Sequence, residues 1–378
     1  MASIRVLVVD DSVVIRKVLT EALTSEPGIE VVGGAADGNI ALSKIELLKP
    51  NLVTLDVEMP GMSGLETLVA IRKIHPGLPI IMFSTLTERG AATTLEALSL
   101  GASDCVTKPQ SSANVEETRG RIRSDLIPKV KALGSKNALS APADIAPRHL
   151  PKPSTNRRIA VPSRVDVVAI GTSTGGPNAL AAVLPSLAKT FPVPIVLVQH
   201  MPPLFTRLLA ERLDKQSSIA VHEGADGQVL MPGHVWIAPG DFHMTVQRDG
   251  TRVRLVMNQN PPQNSCRPSV DVLFESVAAV YGANALAVVL TGMGSDGQRG
   301  ADLIHSAGGR VIVQDEATSV VWGMPGAVAA AGLAEATLPL AEIAGELERR
   351  ASRLGQPLDP GRPAVASSPT GKERHHVD

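Results

Sequence analysis

Short β-branched runs alternate with helix-length stretches through the first 109 residues, in the order IRVLVVD, VVIRKVLTEAL, EVVGGAA, ALSKIELLK, NLVTLD, GLETLVAIRKI, PIIMFS, AATTLEALSLG and CVTKP. Strands separated by helices return parallel, so the pattern predicts a parallel five-stranded sheet with helices on both faces and ligands at the carboxyl ends of its strands. The alternation fails over 134–164, where five prolines fall between positions 142 and 162 with no sustained period, which predicts an extended linker. The preceding NVEETRGRIRSDLIPKVKAL predicts a last helix reaching about 133, kinked or restarted at Pro128. A second alternation, VDVVAIG, IVLVQH, VWIAP, ALAVVLTG and RVIVQD, occupies 165–354, and 355–378 predicts a disordered tail. The expectation is a two-domain α/β chain whose second domain is doubly wound on a mostly parallel sheet.

Composition narrows the function classes. Five Phe, two Trp and one Tyr in 378 residues leave little for base stacking, and a net charge of −1 argues against phosphate-backbone binding, so no nucleic-acid partner is expected. The apolar run after Met-Ala-Ser-Ile-Arg is too short for a signal segment or a membrane span, which predicts a cytoplasmic protein with no direct membrane insertion. Residues 110–164 carry 11 Lys+Arg against 4 Asp+Glu, a solvated basic tether or a clasp on two acidic domains or on a partner's surface. Cys105 and Cys266 are expected to be unpaired, and neither is assigned a chemical role.

In the first alternation Asp10 and Asp11 end one strand run, Asp56 ends the third, Ser84 the fourth, and Lys108 follows the fifth. All fall at one sheet edge. Converging carboxylates repel unless a cation neutralises them, and hard Mg²⁺ suits a few carboxylate oxygens plus water. A carboxylate so held can attack a phosphoryl donor while a lysine and a hydroxyl bind the transferred oxygens. Singly, an Asp at a strand end is a cap or turn residue; together these residues make a site.

In the second alternation the strand VDVVAI runs into Gly171-Thr-Ser-Thr-Gly-Gly-Pro177 and a helical stretch. A strand-turn-helix with glycines around a serine presents that hydroxyl at a helix N-terminus, which favours a developing anion. Ser173 is thereby the candidate nucleophile, with Gly175 and Gly176 letting backbone approach a bound carbonyl. Serine needs a base and the base an orienting acid; His200 ends IVLVQH, and Asp296 follows ALAVVL in TGMGSDG. The order Ser, His, Asp differs from the Ser, Asp, His order of α/β-hydrolases. Gly292-x-Gly294-x-x-Gly297 also fits a dinucleotide-binding loop, although Asp296 would place a carboxylate in the pyrophosphate cradle.

Residues 1–109 resemble the receiver domain of two-component response regulators, through Asp10-Asp11, the DxxMPxMxG run at 56–64, Ser84 and Lys108-Pro109. The resemblance implies a flavodoxin-like fold, phosphorylation of Asp56 by a histidine kinase, and Mg²⁺ at Asp10, Asp11, Asp56 and the Glu58 carbonyl. Ser84 and Lys108 would support the phosphoryl group, and a cis bond would precede Pro109. Residues 165–350 resemble the catalytic domain of the chemotaxis protein-glutamate methylesterases, through GTSTGG at 171–176, QHMPP at 199–203, IAPGDFHM at 237–244, RPSVDVLF at 267–274 and LTGMGSDG at 290–297. This likeness implies a Ser173, His200, Asp296 triad with the Met293 N–H in the oxyanion hole. The substrate would be γ-glutamyl methyl esters of a chemoreceptor's cytoplasmic domain, with glutamine deamidation as a second activity and no cofactor for the ester chemistry. Thr172 stands where the family often has Ala. The alternative is a receiver joined to a non-catalytic or nucleotide-binding output domain.

Overall fold

The computed structural model describes residues 3–108, 119–120, 122–138 and 164–352. The expected cis bond at Pro109, the Pro-rich basic tether beyond Ala138 and the segment 355–378 lie outside the described residues. Strands β1 (Ile4–Val9), β2 (Ile29–Ala35), β3 (Leu52–Asp56), β4 (Ile80–Ser84) and β5 (Asp104–Thr107) form one parallel sheet in the order β2-β1-β3-β4-β5. Every residue of β3 and β4 is buried, as expected of apolar strands covered on both faces. The covering helices are α1 (Val13–Thr24), α2 (Gly38–Leu48), α3 (Gly64–Ile74) and α4 (Glu88–Ser99). Each starts at a side-chain cap: Ser12, Asp37, Ser63 and Thr87, with Ser63 and Glu66 closing a reciprocal capping box.

A π-helical turn, Ile122–Leu126, leads into α5 (Ile127–Ala138), where Pro128 sits in the first turn and needs no intrahelical N–H partner. This helix runs five residues past the expected end at 133. Gly134 is the reason that it can: a Cβ there would lie 2.3 Å from Ile4 Cγ2, so the bare glycine lets the helix continue close over β1.

The second domain has seven parallel strands in the order β14-β13-β12-β6-β7-β9-β8. Five match runs seen in the sequence: β6 (Val167–Thr172), β7 (Ile195–Gln199), β9 (His234–Ile237), β12 (Ala285–Val289) and β13 (Arg310–Gln314). The edge strands β8 (Ala220–Glu223) and β14 (Ala336–Leu338) were not anticipated, being short and only partly buried. A separate antiparallel ribbon, β10 (His243–Asp249) with β11 (Arg252–Asn258), turns at Gly250-Thr251. The helices are α6 (Gly176–Val183), α7 (Phe205–Gln216), α8 (Val270–Tyr281), α9 (Gln298–Ser306), α10 (Met324–Ala330) and α11 (Leu340–Ala351). No helix among the described residues is long and apolar enough to cross a membrane.

The two domains share a core. Ala91, Leu95 and Leu98 of α4 belong to the same buried apolar cluster as Ala179, Leu180, Leu209 and Leu213 of α6 and α7. Polar contacts frame that seam: Asn178 Nδ2 donates to the Leu98 carbonyl at 2.8 Å, Arg212 donates to the Leu95 carbonyl, and Arg207 pairs with Glu88.

Candidate active site

At the carboxyl edge of the first sheet, β1, β3, β4 and β5 are consecutive neighbours, so their ends converge. Lys108 Nζ bridges two buried carboxylates, 2.9 Å from Asp10 Oδ2 and 2.7 Å from Asp56 Oδ2. Burial raises the Asp56 carboxyl to about 6, with Asp10 adding to the rise and Lys108 and the Glu58 N–H opposing it. Burial likewise opposes the Lys108 cation, but its two carboxylate partners prevail and raise its pKa. Asp11 is exposed, yet its carboxylate lies with those of Asp10 and Asp56 inside a 4.8 Å group. Three hard oxygen donors at that spacing fit Mg²⁺. Ser84 is buried nearby, but its hydroxyl donates to the Thr85 and Gly90 carbonyls rather than to the acids.

In the second sheet β12, β6 and β7 are adjacent, which places Asp296, Ser173 and His200 at one edge. His200 Nε2 lies 2.8 Å from Asp296 Oδ2. An ionised carboxylate only accepts, so the ring carries its proton on Nε2 and leaves Nδ1 as the available base. Five further donors hold Asp296: Val270 N–H on Oδ2, and Asn264 Nδ2, Ser269 Oγ and the N–H groups of Asp271 and Gly297 on Oδ1. Burial works against its charge, but His200 and these donors pull its pKa down to about 2. For His200 burial favours the neutral ring, while Asp296 and Cys266 outweigh it and raise the pKa.

Ser173 and His200 line one cleft of about 740 Å³ with Met293, Gly294, Asn264, Cys266 and Arg267. Among the described residues Ser173 Oγ forms no hydrogen bond to His200, and the Met293 N–H has no partner. Two of the glycines have packing roles. A Cβ on Gly176 would fall 1.9 Å from Gln199 Oε1, so its bareness admits the Gln199 side chain, which in turn holds the Ser173 carbonyl at 2.9 Å. Gly292 permits close approach at Ser173, since a Cβ there would sit 2.9 Å from Ser173 Cβ. The loop from Gly292 to Gly297 is filled by the Asp296 carboxylate and its donors, leaving no cradle for a pyrophosphate.

The opposite wall of this cleft comes from the first domain, through Cys105, Val106, Thr107, Ser124, Asp125, Pro128 and Lys129. Buried Asp104 joins the walls: its Oδ2 accepts from Thr174 Oγ1 at 2.5 Å and its Oδ1 pairs with Lys129 Nζ at 2.8 Å. Met293 packs against the cluster holding Val106, Ile122 and Leu126. Asp104, Lys129, Thr174, Asn264, Ser269 and Asp271 were not singled out from the sequence, and Cys266 was named there without a role. Only the acid at 271 and serine at 269 had a signal, as an N-terminal pattern before an apolar helix.

A family profile for the response regulator receiver domain matches residues 6–118, and one for CheB methylesterase matches 168–347. A protein-glutamate methylesterase/protein-glutamine glutaminase of Trichodesmium erythraeum is 49% identical over 350 residues, covering 93% of this chain and 99% of the relative. The chain belongs to the protein-glutamate methylesterase family. A second relative of that printed name, from Nocardioides sp., is 51% identical over 370 residues, covering 95% of this chain and 99% of its own. The catalytic domain of the Thermotoga maritima CheB methylesterase is 44% identical and spans 49% of this chain and 98% of its own, with a TM-score of 0.48. In this methylesterase-family chain the Ser173 and Asp296 loops both touch the receiver domain, the former through Thr174 and the latter through Met293.

Proposed function

We propose that the chain is a phosphorylation-activated serine esterase that removes methyl groups from glutamate side chains in the cytoplasmic domain of a chemoreceptor, and that it also deamidates glutamines there. The observation that carries the reading is the Asp296–His200 pair. It commits Nε2 to the acid and leaves Nδ1 in the cleft that Ser173 lines. His200 Nδ1 takes the Ser173 proton as Oγ attacks the ester carbonyl, and the Met293 N–H, without a partner among the described residues, stabilises the oxyanion. His200 returns the proton to the leaving methoxide; water activated by the same nitrogen then attacks the acyl-enzyme and frees glutamate. A glutamine amide follows the same course with ammonia leaving. The Ser173–His200 contact tightens when substrate enters.

Asp56 is the phosphorylated residue in this reading, with a histidine kinase as phosphodonor. Asp10, Asp11, Asp56 and the Glu58 carbonyl would hold Mg²⁺, which when bound neutralises the acids and the incoming phosphoryl oxygens. Lys108 reorients onto the phosphoryl group. Because Lys108 follows β5 directly, its movement bears on Asp104 at the other end of that strand and hence on Thr174, next to the nucleophile. The receiver, the tether beyond Ala138 and the esterase domain up to about 354 form the proposed units, in the cytoplasm where kinase and receptor helices meet. The deciding experiment is methanol release from methylated receptor fragment, with and without a small phosphodonor. Wild type is expected to accelerate with the donor and Ser173→Ala to stay near background; equal rates in all four arms would end the reading.

A further inference from the structure

The second nitrogen of His200 has a neighbour that the ester chemistry does not use. Cys266 Sγ lies 3.7 Å from His200 Nδ1. Both side chains are half-buried and line the open cleft, and Cys266 is a free thiol. A tetrahedral Zn²⁺, with bonds of about 2.3 Å to thiolate and 2.0–2.1 Å to imidazole, holds its sulfur and nitrogen about 3.5 Å apart. The pair is therefore spaced as two ligands of one ion without rearrangement. Asp296 completes the pattern from behind: metal-bound imidazoles donate their other N–H to a carboxylate, which fixes the tautomer and makes the ligand nitrogen more basic. Here Asp296 already does so through Nε2, and the ligand atoms of all three groups fall within 4.8 Å of one another.

We propose that His200 Nδ1 and Cys266 Sγ form a binding site for a borderline-soft divalent cation such as Zn²⁺, and that the ion inhibits the esterase. The imidazole lone pair and the thiolate bind the ion, the thiol proton passes to solvent, and water fills the two remaining positions. The occupied nitrogen is the one that must accept the Ser173 proton, so inhibition rests on the esterase reading, whereas binding does not. Ligand softness separates this site from the oxygen-only cluster at Asp10, Asp11 and Asp56. Thiolate and imidazole select zinc-like ions, and Mg²⁺ prefers carboxylate oxygen.

The test uses the full-length chain titrated with Co²⁺ in excess Mg²⁺, reading the thiolate-to-Co²⁺ charge-transfer band, and Zn²⁺ inhibition of methanol release in parallel. The band is expected in wild type, Ser173→Ala and Cys105→Ser, and absent in Cys266→Ser and Cys266→Ala. Zn²⁺ inhibition should be reversed by chelation and weakened at least about tenfold in both Cys266 variants. No band in wild type, or a band that survives in both Cys266 variants, overturns the site. A band without Zn²⁺ inhibition overturns the inhibitory role. The band forms whether or not the chain is an esterase, so the failure of one reading is distinguishable from that of the other.

Discussion

Asp296 and Asp271 cap each other's helices. Asp296, just before α9, accepts the first N–H groups of α8 from Val270 and Asp271, at 2.7 and 3.1 Å; Asp271, in the first turn of α8, accepts the Gly297 and Gly300 N–H groups that open α9, at 3.0 and 2.7 Å. Each carboxylate sits where the partial positive charge of a helix N-terminus favours it. The acid that orients His200 is thus fixed by two helices at once, with Asn264 Nδ2 donating to both acids at 2.8 Å.

Removing Asp271 is expected to be costly for that reason. Asp271→Ala strands the buried Gly300 N–H, while the Gly297 N–H keeps Asp296 Oδ1, and should lower stability by about 1–3 kcal/mol, read from the denaturant midpoint. It should also slow turnover through a looser Asp296. A midpoint shift within experimental error would show that the reciprocal capping is not structural.

The pH profile should reveal what Asp296 does to His200. With His200 as the proposed base, turnover requires a neutral ring, so kcat/KM rises with pH through the His200 pKa, which burial opposes and Asp296 and Cys266 raise above 6.5. Asp296→Asn removes the charge that stabilises the cation, so the acid limb should move to lower pH while the plateau falls by about 10⁴. An acid limb that stays in place would mean another group controls it. The stability sign is separate: the Asp296 pKa is depressed to about 2, so its contribution is complete above 3.8 and is lost as pH falls through 2.

The Asp104–Thr174 hydrogen bond ties the receiver to the residue beside Ser173, the proposed nucleophile. Thr174→Val keeps the shape and deletes the donor, and a hydrogen bond to a charged group contributes about 1.5–3 kcal/mol. The unphosphorylated rate should rise about tenfold. The phosphorylated rate should change little, which narrows the ratio of the two. An unchanged ratio would place the restraint elsewhere in the α4 seam.

Lys108 neutralises Asp10 and Asp56 together. Lys108→Ala leaves two buried acids facing each other and should destabilise the receiver by about 3–5 kcal/mol without metal. Added Mg²⁺ supplies the missing charge, so its stabilising shift in thermal unfolding should be larger for the variant than for wild type. Equal shifts would argue that metal and lysine occupy independent positions.

Much of the fold was legible because it repeats one local pattern: β-branched runs alternating with helices leave a parallel sheet as the solution. The strands that escaped notice are those with weak periodicity, as in AVHE and ATL at the sheet edges. The ribbon at His243–Asn258 does alternate around Asp249-Gly250, a hairpin turn signal set inside an otherwise parallel α/β pattern.

The site divides along the same line. Sequence alone nominated the residues proposed to carry the chemistry, because strand ends in a parallel sheet share an edge and Asp, Ser, His and Lys gather at those ends. Which strands become neighbours is a long-range choice, and only the tertiary structure set β12, β6 and β7 side by side so that Asp296, Ser173 and His200 converge. It also decided that Nε2 of His200 faces the acid, that Cys266 faces Nδ1, and that Asp104 of one domain grips Thr174 of the other. Those contacts depend on side-chain direction and on the packing of two domains, which no local run of residues encodes.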